Sequence, residues 1–227
     1  MPLIVVKNMS RRTFSALSLS LSIAFSAHAA VPTAADTPYP GTIVLKVDAT
    51  NVGQKIFRVQ STIPARPGAM TLLYPQWVPG NHGPSGPLMQ MAGLRISAGG
   101  KPVEWTRDPV QVHAFHITVP EGATSIEAQY EYLSPVEPSQ GRITMTPEIL
   151  GVQWLSMSLY PAGYATRQIP VQANLKLPEG WQYGTALETA SRTGADVSFK
   201  PTDLETLVDS PLLAGRHFKR IDLDPGA

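Results

Sequence analysis

The chain carries five histidines, at positions 28, 82, 113, 116 and 217, and no cysteine. Without cysteine there is no thiol nucleophile, no thiolate zinc site and no disulfide scaffold. No histidine is followed by Glu and a second His at helical spacing, so the helical zinc-protease pattern is absent. His113 and His116 stand three apart in a stretch that reads as a strand. Alternation sends them to opposite faces, which forbids a local chelate. His113 falls on the apolar side and is expected to be a hydrogen-bonded core histidine. No metal ligand is assigned to this chain. Ser85 has Gly83 two residues before it, but Pro87 stands where the nucleophile elbow of a serine hydrolase needs a second glycine. No glycine-rich loop leads into a helix, so phosphate cradling is not indicated either.

What remains is a set of candidate contact residues. In Tyr74-Pro-Gln-Trp-Val-Pro-Gly-Asn-His82 two prolines bracket Trp77, and Asn81 and His82 follow. Such a stretch is either a rigid turn that plugs the core with Trp77, or a stiff loop that meets a ligand at low ordering cost. Trp154 and Tyr164, in the segment from Gly151 to Tyr164, pose the same choice. Lys and Arg number 18 against 17 Asp and Glu, which removes the basic footprint of nucleic-acid binding.

These residues must be positioned by strands. Pro (22) and Gly (18) are frequent, and 43% of residues are hydrophobic. Alternating or β-branched runs cover 42–47, 55–63, 94–97, 103–105, 110–119, 125–133, 151–159, 169–177, 181–187, 195–199 and 217–223. Gly99-Gly100 supplies a hairpin turn. One short helix is expected near residues 203–208, with Thr202 and Glu205 as a capping box and Leu204, Leu207 and Val208 on one side. The fold class is all-β: an antiparallel β-sandwich of two packed sheets.

Residues 1–29 read as a signal peptide. Lys7, Arg11 and Arg12 precede an uncharged stretch that ends in Ala27-His28-Ala29, with small residues where signal peptidase needs them. Ser10-Arg-Arg-Thr-Phe14 resembles a twin-arginine export signal, the Ser/Leu core also suits the general route, and Met9 offers an alternative start. The expected location is therefore periplasmic or secreted. Residues 30–40 read as a linker, 41–224 as the β domain and 225–227 as a tail.

Four motifs in order carry a family resemblance: Tyr74 to His82, Gly151 to Tyr164, Leu177 to Leu187 and Thr206 to Gly215. Together they resemble the N-terminal domain of the glycyl aminopeptidase family, metallopeptidase family 61. The resemblance implies a non-catalytic β domain that scaffolds a zinc aminopeptidase domain, in cis or in trans, and walls its substrate cleft. Zinc is expected only in that catalytic domain, with none in this chain, and peptide substrate is met only in that context. No nucleic-acid partner and no membrane span after signal cleavage are expected. By analogy, Gln153 is the candidate for a polar side chain near the substrate's amino terminus. The rival expectation is a stand-alone periplasmic module that binds a ligand or protein through the Trp77 to His82 loop.

Overall fold

The computed structural model describes residues 30–77 and 82–223. Its strands begin with β1 (Ile43–Asn51), β2 (Ile56–Pro64), β3 (Gly68–Leu73), β4 (Met91–Ala98), β5 (Lys101–Val103) and β6 (Trp105–Arg107). β7 (Ala114–Val119), β8 (Ser125–Leu133), β9 (Ile149–Val152), β10 (Tyr160–Pro161) and β11 (Pro170–Lys176) follow. The last are β12 (Gln182–Thr185), β13 (Thr189–Thr193), β14 (Asp196–Phe199), β15 (Thr202–Asp203) and β16 (Leu212–Gly215), with helix α1 (Leu204–Val208) before β16.

The large sheet runs β13-β14-β11-β1-β2-β8-β4-β5, with β15 also on β11. Its strands alternate, so one face is apolar and one polar. Ile43, Leu45, Val47 and Ala49 of β1 are buried, as are Ile126, Ala128, Tyr130 and Tyr132 of β8. The outward residues form a cross-strand row of alternating sign. Asp196 pairs in register with Lys176, Lys176 with Asp48, Asp48 with Arg58, and Arg58 with Glu131. Opposite charges on neighbouring strands attract weakly, and like charges would repel. The row therefore favours this register over a slipped one.

Two smaller sheets, β10-β3-β7-β6 and β12-β16-β9, contribute to the same core as the large sheet. The architecture is thus all-β and sandwich-like, as the alternation predicts, with details the sequence did not announce. Among the described residues there are three sheets, and β1 meets β11 in parallel, since the chain crosses over between them. β3 was not expected: it has one β-branched residue, Thr71, and follows Pro67, which makes it look like a loop. The run 110–119 is a strand only from Ala114, and 151–159 divides into β9 and a 3-10 turn, Trp154–Met157. Residues 217–223 alternate in sequence yet form no strand.

Helix α1 lies where expected, but its cap is Asp203 and not Thr202. The Asp203 carboxylate accepts from the Thr206 N–H at 2.8 Å, while Thr202 is taken up by β15 against Val171. Leu204 and Leu207 are buried. Residues 30–40, read as a linker, are laid against the turn at 163–168. Ala35 bridges Tyr164, Asp36 pairs with Arg167 at 2.8 Å, and Tyr39 enters the core. Among the described residues no helix is long and apolar enough to cross a membrane. The expected signal peptide, residues 1–29, and the expected tail, residues 225–227, lie outside the described residues.

Candidate functional site

β9 delivers Gln153 to the start of the 3-10 turn Trp154–Met157, all four of whose residues are buried. The Ser156 N–H donates to the Gln153 carbonyl at 2.9 Å, and the Ser156 carbonyl accepts from the Tyr74 and Tyr130 hydroxyls at 3.1 and 3.3 Å. Burial pushes both phenols above their ordinary range, so they stay protonated and able to donate. Trp154 packs edge-on against Phe199, with ring centres 5.9 Å apart. The turn is thereby fixed from below. The half-buried Gln153 amide makes no hydrogen bond to any described residue.

Gln153 lines a groove of about 730 Å³, together with Tyr132, Arg142, Thr144, Ser156 and Asp209. The segment 84–87 also lines it, held in place as the Gly86 N–H donates to the Gln76 carbonyl at 2.9 Å. A Cβ on Gly86 would stand 1.9 Å from the Pro75 carbonyl oxygen, so only glycine permits this closure. Leu155 and Val208 line both the groove and a second pocket, of about 480 Å³, beneath Trp77 and His113.

The three-stranded sheet turns an apolar surface outward. Leu213 is 60% exposed, Ile149 54%, and Phe218 lies over Gly184. Leu213 is opposite Gly151 on one side and Gly184 on the other, so it stands clear of its neighbours in the sheet.

The other residues singled out by sequence scatter. Trp77 is 67% exposed at the mouth of the second pocket, which excludes the core-plug reading. Trp154 is fully buried and faces the core, not a cleft or an interface. Tyr164 packs edge-on against Tyr39 at 4.9 Å, away from the groove. His82 is exposed, and Asn81 lies outside the described residues. His113 is half-buried in the turn before β7, and neither ring nitrogen has a partner among the described residues. It is not the hydrogen-bonded core histidine that a strand reading implies.

One constellation was missed by sequence reasoning. The register of β3 and β7 sets Thr71 opposite His116. The Thr71 hydroxyl meets His116 Nδ1 at 3.0 Å, and His116 Nε2 meets the Asp108 carboxylate at 2.9 Å. The order is that of a nucleophile, base and orienting acid. Yet Thr71 and Asp108 are buried, and none of the three lines either pocket described above. Asp108 also accepts from the N–H groups of Val110 and Gln111, at 2.9 and 2.7 Å. The chain is a brace for the turn that carries His113.

The hydrogen bond to His116, then those from Gln111 and Val110, hold the Asp108 carboxyl down to about 2, from an ordinary 3.8. A folded-state value below the unfolded one gives stability that is complete above the unfolded value and lost as pH falls through the folded one. The brace is therefore expected to weaken between about pH 4 and pH 2. In Asp108→Asn this acid limb should vanish. Hydrogen exchange at the Val110 and Gln111 amides measures it, and the same acid limb in both proteins would show that Asp108 is not its source.

Among the described residues no three His, Asp or Glu gather as metal ligands. The peptidase M61 N-terminal domain family matches this sequence over residues 44–216. No curated protein sequence matches it. Among solved structures, an aminopeptidase N family protein from Idiomarina loihiensis is similar, with TM-score 0.64 and 16% identity over 77% of this chain. This chain spans 29% of that protein's length, and the likeness is one of fold. An M1 zinc metallopeptidase from Deinococcus radiodurans aligns over 79% of this chain and 42% of its own, at 12% identity. Its TM-score of 0.42 is too low to carry an argument.

Proposed function

This chain belongs to the peptidase M61 N-terminal domain family, and on that premise we propose that it is the non-catalytic front domain of an exported zinc aminopeptidase. The observation that carries the reading is the Gln153 amide, free of hydrogen bonds to described residues and held at a groove by a turn locked into the core. In this reading the amide oxygen accepts from the substrate's α-ammonium and so sets the register of an exopeptidase. A charge-assisted bond of this kind strengthens when the site closes and water leaves.

The apolar face around Leu213, Ile149 and Phe218 supports a scaffolding role. It adjoins β9, which leads directly to Gln153, so a catalytic domain seated there would bring its metal toward the groove. Zinc, with a base beside its bound water, would supply hydrolysis from that domain, and this chain would orient the substrate and wall off water.

Reconstitution tests the proposal. Residues 30–227 with added zinc are expected to leave glycyl- and alanyl-anilides intact, and to support their hydrolysis when a family catalytic domain is supplied in trans. Hydrolysis by residues 30–227 alone would overturn it, as would an equal rate for the catalytic domain without this chain.

A further inference from the structure

The pocket beneath Trp77 adjoins the Gln153 groove across Leu155 and Val208 and has its own chemistry. Its accessible apolar walls include Val31, Leu73, Tyr160 and Val208. At about 480 Å³ it lies within the range of small-molecule sites. Trp77 stands exposed at the mouth, and the Glu205 carboxylate, which accepts from the Thr166 hydroxyl at 3.1 Å, lines the same pocket. His113 borders it with both ring nitrogens buried and without described partners. Its ring lies nearly parallel to Tyr74, 6.4 Å between centres, and its carbonyl accepts from the Tyr74 N–H.

We infer that this pocket binds a small aromatic ammonium compound whose ring carries a hydroxyl. Each part of the ligand answers a part of the site. The ring packs among Tyr160 and the side chains of Val31, Leu73 and Val208. The ammonium is drawn to Glu205 and to the face of Trp77. The hydroxyl pairs with His113, which offers one donor and one acceptor when neutral. Rotation of the imidazole about its soft second torsion brings a nitrogen to the bound hydroxyl and ends the standing cost of a buried, unpaired polar group. The Asp108 brace holds the turn in place while the ring moves.

The test is a titration of residues 30–227 with tyramine, phenethylamine and 4-hydroxyphenylacetate, followed by NMR at the Trp77 indole, the His113 ring and the Gln153 side-chain amide. Tyramine should saturate with Kd at or below about 1 mM, a value within reach of a ligand of this size. It should shift Trp77 and His113 and leave Gln153 unmoved. Phenethylamine should bind about 5-fold more weakly, and His113→Phe should erase that difference. Glu205→Gln should cost tyramine about 3-fold, and so should Trp77→Ala, whose exposed position leaves the fold intact. No saturable shift up to about 10 mM, equal or tighter binding of 4-hydroxyphenylacetate, or shifts centred on Gln153 would each overturn the inference. The readout needs no catalytic domain, so its outcome is independent of the aminopeptidase reading.

Discussion

Gln153→Ala lowers kcat/KM for glycyl-anilide about 10- to 100-fold in the reconstituted enzyme, the span expected for one hydrogen bond to a charged group. The structure argues for a clean effect. The Gln153 backbone caps the buried turn through its carbonyl, which any residue keeps, while its side chain has no described partner to leave unsatisfied. Folding should therefore be preserved, within about 0.5 kcal/mol of the parent by chemical denaturation. Gln153→Glu should retain more activity than Gln153→Ala, because a carboxylate also accepts from an ammonium. An N-acetylated substrate has no ammonium to bind, and with it the parent and the variants should converge. Equal kcat/KM for parent and Gln153→Ala on the free-amine substrate would remove Gln153 from the site.

How far the sequence carried the argument depends on the range of each interaction. Strands such as β1 and β8 announce themselves, because alternation is local and their inner faces are unambiguous. Helix α1 was visible from Leu204, Leu207 and the Thr202–Glu205 spacing, although tertiary pairing takes Thr202 into β15 and leaves the capping role to Asp203. β3 was invisible because its strand character comes from β7, 45 residues further on at the Thr71–His116 pair, and not from its own composition. The Thr71–His116–Asp108 brace was lost with it. Gln153 could be singled out only through the family resemblance, and its freedom from partners is a property of the folded groove.

The two tryptophans show where residue type fails as a guide, and they yield the largest stability effect expected here. Trp77 and Trp154 both sit among apolar and small residues, and the sequence gives no reason to rank one as core and the other as surface. The folded chain puts Trp154 at zero exposure against Phe199 and leaves Trp77 67% exposed. Trp154→Ala removes the largest fully buried side chain and empties space between the 3-10 turn and β14, which should cost about 3–5 kcal/mol. Total stability for a domain is about 5–15 kcal/mol, so this variant should unfold at far lower urea and lose near-ultraviolet circular dichroism. Trp77→Ala should stay within about 0.5 kcal/mol of the parent. Trp154→Phe separates volume from polarity. The Trp154 indole N–H has no described partner, so phenylalanine removes an unpaired polar group along with part of the volume. Its loss should be well below that of the alanine variant. If Trp154→Ala and Trp77→Ala melted alike, the assignment of Trp154 to the core and of the turn as the rigid mount for Gln153 would both fall.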